Sequence, residues 1–141
     1  ILFEKIKPFA TDSHFRVREV AWMACRVHIA QHLDLSIEIL STWAKSEDEN
    51  LRRFASEATR PRGVWCVHLQ ALKEQPALAL PILEALQADS SRYVQNNVGN
   101  WLNDAAKSQA DFVRKLCVAW QAQSPTKETS YIIKKALRSI S

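Results

Sequence analysis

A chain of 141 residues fits one domain, and 47% hydrophobic with 24% charged residues gives it enough apolar surface for a core. Two glycines in the whole chain exclude the glycine-dependent turns of an all-β or doubly wound fold, so the expectation is all-α. The net charge of +4 is compatible with a polyanionic partner. Three widely spaced cysteines suggest neither a disulfide framework nor a zinc site, and no apolar run reaches membrane-spanning length.

In chain order, Ile1 opens directly into an apolar stretch, which predicts that residues 1–141 are a single HEAT-like domain forming the C-terminal part of a longer protein. Asp12 and Ser13 then supply capping oxygens for a helix anchored at Val17. Residues 35–45 carry apolar side chains three and four apart, with Ile37, Leu40 and Trp43 as the stripe. Asp48 caps the next helix, in which Leu51, Phe54, Ala55 and Ala58 fall on one face. Pro61-Arg62-Gly63 breaks the pattern, because proline lacks an N–H and glycine permits a tight turn, and helix is expected to resume over 64–74. Helices over 78–88 and 111–122 follow, with caps at Asp89 or Ser90 and at Thr126 before the last two units.

The anchors Val17, Leu51, Val94 and Ile132 each open a similar five-residue pattern and are 34, 43 and 38 residues apart. That period, near the roughly 40 to 47 residues of HEAT or armadillo units, predicts a HEAT-like α-solenoid of antiparallel helix pairs. The anchored helix is the second of each pair. Leu51, Phe54, Val94, Val98, Trp101 and Ile132 should be buried, together with Trp43 and Trp120.

Equal offsets from the anchors place Arg53, Glu57 and Arg60 on a face opposite the core, joined by Glu19, Met23 and Arg26, by Asn96, Asn100 and Asn103, and by Lys134 and Arg138. Stacking would merge these into one polar strip on the concave side. Any solenoid needs a polar outer stripe, and Arg53/Glu57 is an ordinary i,i+4 pair. Asn96, Asn97, Asn100 and Asn103 in a single helix suggest specific polar contacts, since Asn competes for backbone hydrogen bonds. Trp22 lies on a stripe's flank and Trp65 follows the proline break, so both core and contact roles stay open for them. The four histidines lack metal-ligand spacing, no nucleophile-base order is suggested, and no cofactor or metal is expected.

The segment from Asn50 to Trp65, NLRRFASEATRPRGVW, and the segment from Ser91 to Asp104, SRYVQNNVGNWLND, resemble motifs of the bacterial DNA alkylation repair glycosylases of the AlkC/AlkD superfamily. The likeness extends from about Asp12 to Ile140. It implies a HEAT-like solenoid that excises N3- or N7-alkylated purines from double-stranded DNA held in a concave cleft, in the bacterial cytosol and as a monomer. By motif position it implies phosphate contacts from Arg53, Arg60 and Arg62, acidic groups Glu57 and Asp104 at the reacting sugar, and Trp65 supporting the cleft. Glu19 is the best candidate for an acidic cleft residue in the first repeat, with His14 and Trp22 behind it. An alkylated purine already carries positive charge and leaves readily, so a fixed carboxylate opposite the developing sugar cation is the main catalytic requirement. The alternative is a HEAT scaffold that binds DNA or protein without bond cleavage.

Overall fold

The computed structural model describes residues 2–63 and 66–140. Its helices are α1 (Leu2–Ala10), α2 (Phe15–Gln31), α3 (Leu33–Trp43), α4 (Glu49–Glu57), α5 (Gln70–Glu74), α6 (Leu80–Ala85), α7 (Arg92–Ala106), α8 (Ala110–Gln123) and α9 (Lys127–Ala136), with a 3-10 turn at Pro76–Ala79. The second helices α2, α4, α7 and α9 pack in sequence, α2 on α4, α4 on α7 and α7 on α9. Against this layer stand the first helices, with α1 on α2, α3 on α6, and α8 on both α7 and α9. The all-helical, repeated-pair architecture expected from the anchors is what the chain adopts. Among the described residues no helix is long and apolar enough to cross a membrane.

The core follows the periodicity. Leu51, Phe54, Val94, Val98, Trp101 and Ile132 are all buried, as are Ile37, Leu40, Trp43 and Trp120. Trp22 joins them, buried in its ring, while its indole N–H donates to the carboxylate of Glu19. Two buried indoles find polar partners across the stack: Trp101 donates to Thr59 at 3.1 Å and Trp120 to Glu84 at 3.0 Å. Burying an indole N–H without such a partner is costly. At Gly99, buried in α7, a Cβ would lie 2.8 Å from the Lys135 side chain, so glycine lets α7 and α9 close on each other.

Asp48 and Thr126 cap α4 and α9 as expected, accepting from Asn50 at 2.8 Å and from Thr129 at 3.1 Å. At α2 and α7 the cap comes later than Asp12, Ser13, Asp89 or Ser90. His14 and Ser91 are the caps, and Asp12 and Asp89 instead accept the N–H of His14 at 2.7 Å and of Ser91 at 2.9 Å. The aspartates bend the chain into the cap, as side-chain-to-backbone turns do.

The helix expected over 64–74 is confined to Gln70–Glu74; Val64 and Trp65 lie outside the described residues. Gly63 adopts φ +58°, where a side chain would be strained, and a Cβ there would collide with the Cys66 sulfur. Leu69 returns its N–H to the Pro61 carbonyl at 2.8 Å, and the Val67 carbonyl is taken by Arg26 at 2.5 Å. These long-range partners replace an i to i−4 ladder. The helix expected over 78–88 is likewise shortened, because Pro81 starts α6 instead of sitting inside a longer helix.

Candidate nucleic-acid interface

The second helices are joined by polar contacts that repeat in register with the anchors. The residue two places after one anchor meets the residue just before the next. Arg53 donates to the Tyr93 carbonyl at 2.7 Å with its guanidinium 4.0 Å from the Tyr93 ring centroid, and Asn96 accepts the Tyr131 hydroxyl at 2.6 Å. One turn further, Asn97 donates to Glu57 and accepts from Ser56 at 2.5 Å, while Arg138 donates to Asn100 at 3.1 Å. Another turn on, Arg60 grips Asp104 through Nε at 2.8 Å and Nη2 at 3.1 Å, and Asn103 donates to the Ala136 carbonyl at 3.2 Å and the Ser139 hydroxyl at 2.7 Å.

This ladder corrects the exposed strip. Glu57, Asn103 and Asp104 are each 5% exposed and Arg26 only 1%, because adjacent second helices pack side by side and cover one another's flanks. Asn96 and Asn100 are half-buried, Lys134 and Arg138 are exposed, and Met23 is an exposed apolar side chain among them. Arg53 forms no ion pair with Glu57; its partner is Tyr93, and Glu57 is met by Asn97 and by Arg60 at 3.5 Å. Trp65 lies outside the described residues, and His14 is engaged as a helix cap.

The charges are settled unequally. Burial alone would lower the pKa of Arg60, but the hydrogen bonds and charge of Asp104, with those of Glu57, raise it on balance. The Asp104 carboxylate also accepts the Gly63 N–H at 3.4 Å, so the turn after Pro61 is tied to α7. Arg26 is pushed down by burial and meets backbone oxygens instead, donating to the carbonyls of Ala58, Arg60 and Val67 at 3.2, 2.6 and 2.5 Å. It therefore closes the open carbonyl end of α4, where unpaired acceptors would otherwise be buried. Arg62 is half-buried, with a buried Nε that has no partner among the described residues.

Beside this network α1, α2, α4 and α7 border a shallow recess with free space of only about 10 Å³, lined by Arg18, Glu19, Trp22, Arg53, Glu57 and Tyr93 among others. One oxygen of Glu57 is held by Asn97 and Arg60, and no hydrogen bond reaches the other among the described residues. Glu19 and Glu57, 38 positions apart in the chain, thus share one cavity, whereas Asp104 stands apart from it, locked by Arg60. Sequence reasoning did not single out Arg18, Tyr93 or the anchoring role of Asn97. The tyrosines were legible as a repeat, since Tyr93 and Tyr131 both stand immediately before an anchor.

Residues 16–140 match the sequence profile described as "DNA alkylation repair enzyme". The chain belongs to this family. The Bacillus subtilis (strain 168) protein YhaZ, described as uncharacterized, is 36% identical to it over 137 residues, covering 97% of this chain and 37% of its own length. The Pseudomonas fluorescens alkylpurine DNA glycosylase AlkC, solved bound to DNA containing an abasic site analog, superposes with a TM-score of 0.80 at 35% identity over 85% of this chain and 33% of its own. AlkD2 from Streptococcus mutans gives a TM-score of 0.79 at 27% identity, covering 99% of this chain and 65% of that protein. This DNA alkylation repair family member therefore spans about a third of the length of YhaZ and of AlkC.

Proposed function

We propose that this chain is the DNA-gripping and base-releasing portion of a repair protein that hydrolyses the glycosidic bond of N3- or N7-alkylated purines in double-stranded DNA. One observation carries the reading: Glu57 is buried, held on one oxygen by Asn97 and Arg60, without a hydrogen bond to the other among the described residues, and lines a recess that Arg53 borders. Family membership supports the same chemistry, as does the similarity to a glycosylase solved on DNA containing an abasic site analog, a mimic of the product such hydrolysis leaves.

In the proposed reaction the bond from C1′ of the sugar to the purine nitrogen breaks, and its electron pair neutralises the cationic base. Positive charge passes to the sugar, where Glu57, with Glu19 across the recess, stabilises it. Water then attacks C1′ and releases its proton, leaving free alkylpurine and an abasic site. A carboxylate that DNA phosphates disfavour in the ground state and the sugar cation favours in the transition state accelerates the step by differential binding. Asp104 contributes by holding Arg60, and through it Glu57. Arg53 and Arg62, with Lys134, Arg138, Asn96 and Asn100, meet the DNA backbone along the second-helix layer. Arg60 joins them only by sharing the guanidinium already committed to Asp104, and Asn103 braces α7 against the end of α9.

A non-catalytic DNA- or protein-binding scaffold is the second reading, and the saturation of Asp104 by Arg60 and Gly63 favours it. The deciding experiment measures free base from duplex DNA carrying N7-methylguanine or N3-methyladenine, under single turnover with enzyme in excess. Release by the parent and a large loss in Glu57→Gln, with binding retained, supports the enzyme. Salt-sensitive binding with no release by the parent establishes the scaffold.

A further inference from the structure

The arginines of the second-helix layer divide by what meets their charge. Arg52 pairs with Asp89 at 2.8 Å, and Arg60 with Asp104 at 2.8 Å. For Arg18 and Arg53 no carboxylate lies within ion-pair distance among the described residues. The fold nevertheless brings these two cations to one side chain. The Arg53 guanidinium lies 4.0 Å from the Tyr93 ring centroid, and that of Arg18 lies 5.4 Å from it. Arg18 is fixed further by its Nε, which donates to the Tyr93 hydroxyl at 3.2 Å, and by its Nη1, which donates to the Asp12 carbonyl at 2.8 Å. The face of an aromatic ring attracts each guanidinium. The ring carries no net charge, so both cations stay uncompensated and available to an anion beside Tyr93.

We propose that Arg18 and Arg53, both held on Tyr93, form a two-arginine seat for one phosphodiester of duplex DNA at the lip of the Glu57 recess. Arg18 is then a DNA-binding residue and Tyr93 a positioning residue. The order of charges selects this ligand. Arg18, Arg53, Glu19 and Glu57 line a single shallow recess with free space of about 10 Å³, so a ligand resting against its rim meets the arginines with a negative group and, next to it, the carboxylates with a centre that gains positive charge. A phosphodiester joined to a sugar that is losing a cationic base has that order. Planar guanidinium donors also match phosphate oxygens in geometry. The seat rests on the reading that this chain binds DNA, and it adds Arg18 of α2, with Tyr93 of α7 as its support, to the residues given roles by motif position.

The test is duplex binding by fluorescence anisotropy across a salt series, with thermal midpoints measured beside it. Arg18→Gln should lower the log-log salt slope by about 0.9, the loss of one phosphate contact. Arg18→Lys should restore most of the slope, which a merely structural Arg18 would not require. Tyr93→Phe keeps the ring and both charges, so the slope should hold while binding weakens. Tyr93→Phe added to Arg18→Gln should cost nothing more, because the hydroxyl acts through Arg18. Arg114→Gln, an exposed arginine of α8, serves as the control with a parental slope. A parental slope in Arg18→Gln, or equal weakening by Tyr93→Phe in the presence and absence of Arg18, overturns the seat alone. Absence of salt-dependent DNA binding by the parent overturns the DNA-binding reading and the seat with it.

Discussion

Arg60 and Asp104 face each other in a two-bond pair, 2.8 and 3.1 Å, although 44 positions of sequence separate them. The pair ties the end of α4 to α7, with side chains only 13% and 6% exposed. Removing one partner of so buried a pair strands the other, typically at a cost of about 3 to 5 kcal/mol. Asp104→Asn keeps the shape and Glu57 still faces Arg60, so the expected loss sits at the low end, about 3 kcal/mol. Excision of a cationic alkylpurine should fall sharply while DNA affinity stays near parental or improves. Calorimetry and single-turnover base release separate the two effects. Parental excision by folded Asp104→Asn would leave the residue with a structural role only.

Phe54 lies 5.0 Å, ring centroid to ring centroid, from Trp43 and is 3% exposed. Phe54→Ala removes that packing and opens a cavity between α3 and α4, so unfolding free energy should drop by about 3 to 5 kcal/mol. A denaturation midpoint unchanged by the substitution would contradict the burial of this face.

Arg26 holds three carbonyls and thereby the loop after α4. Arg26→Met should leave those acceptors without donors, each costing on the order of 1 to 3 kcal/mol if it stays buried. The loop should open before the helices do. Hydrogen exchange at the Leu69 amide, which donates to Pro61 at 2.8 Å, should accelerate more than at Val98 in α7. Arg26→Lys should rescue little, since one ammonium cannot span three acceptors as a planar guanidinium does. Equal acceleration at both amides would mean that Arg26 supports global stability without a particular hold on the loop.

Burial raises the Cys25 and Cys117 thiols from 9.0 to about 11. Both are free and buried, whereas free Cys66 is half-buried. At pH 8 one thiol, Cys66, should react with a thiol-directed disulfide reagent in the native protein, and three after denaturation. The raised values mean that the fold favours the protonated form. Their contribution to stability is complete below pH 9.0 and declines as pH rises from there toward 11, where the unfolded chain gains by ionising. Rapid labelling of two or more thiols in the native state would refute the assignment.

Periodicity and anchor spacing were enough to specify an all-helical chain, four anchored second helices and their buried residues, because burial along a helix repeats locally every three to four residues, and the resemblance of the segments 50–65 and 91–104 pointed to the family. That resemblance also brought Glu57, Asp104, Arg53 and Arg60 into view as residue types. What each of these touches was decided only by stacking. Arg52 and Arg53 are neighbours in sequence, yet one is neutralised by Asp89 and the other rests on Tyr93, partners 37 and 40 positions away. Helical offsets describe a single cylinder, so Glu57, Asn103 and Asp104 read as polar outer groups until α7 covers Glu57, α9 covers Asn103 and Arg60 covers Asp104. Arg26 reads as a surface charge in the same way, and the carbonyls that draw it inward belong to a loop that proline and glycine allow but do not shape. The sharing of one recess by Glu19 and Glu57 likewise depends on how α2 seats against α4, a relation carried by packing between helices and not by spacing within either.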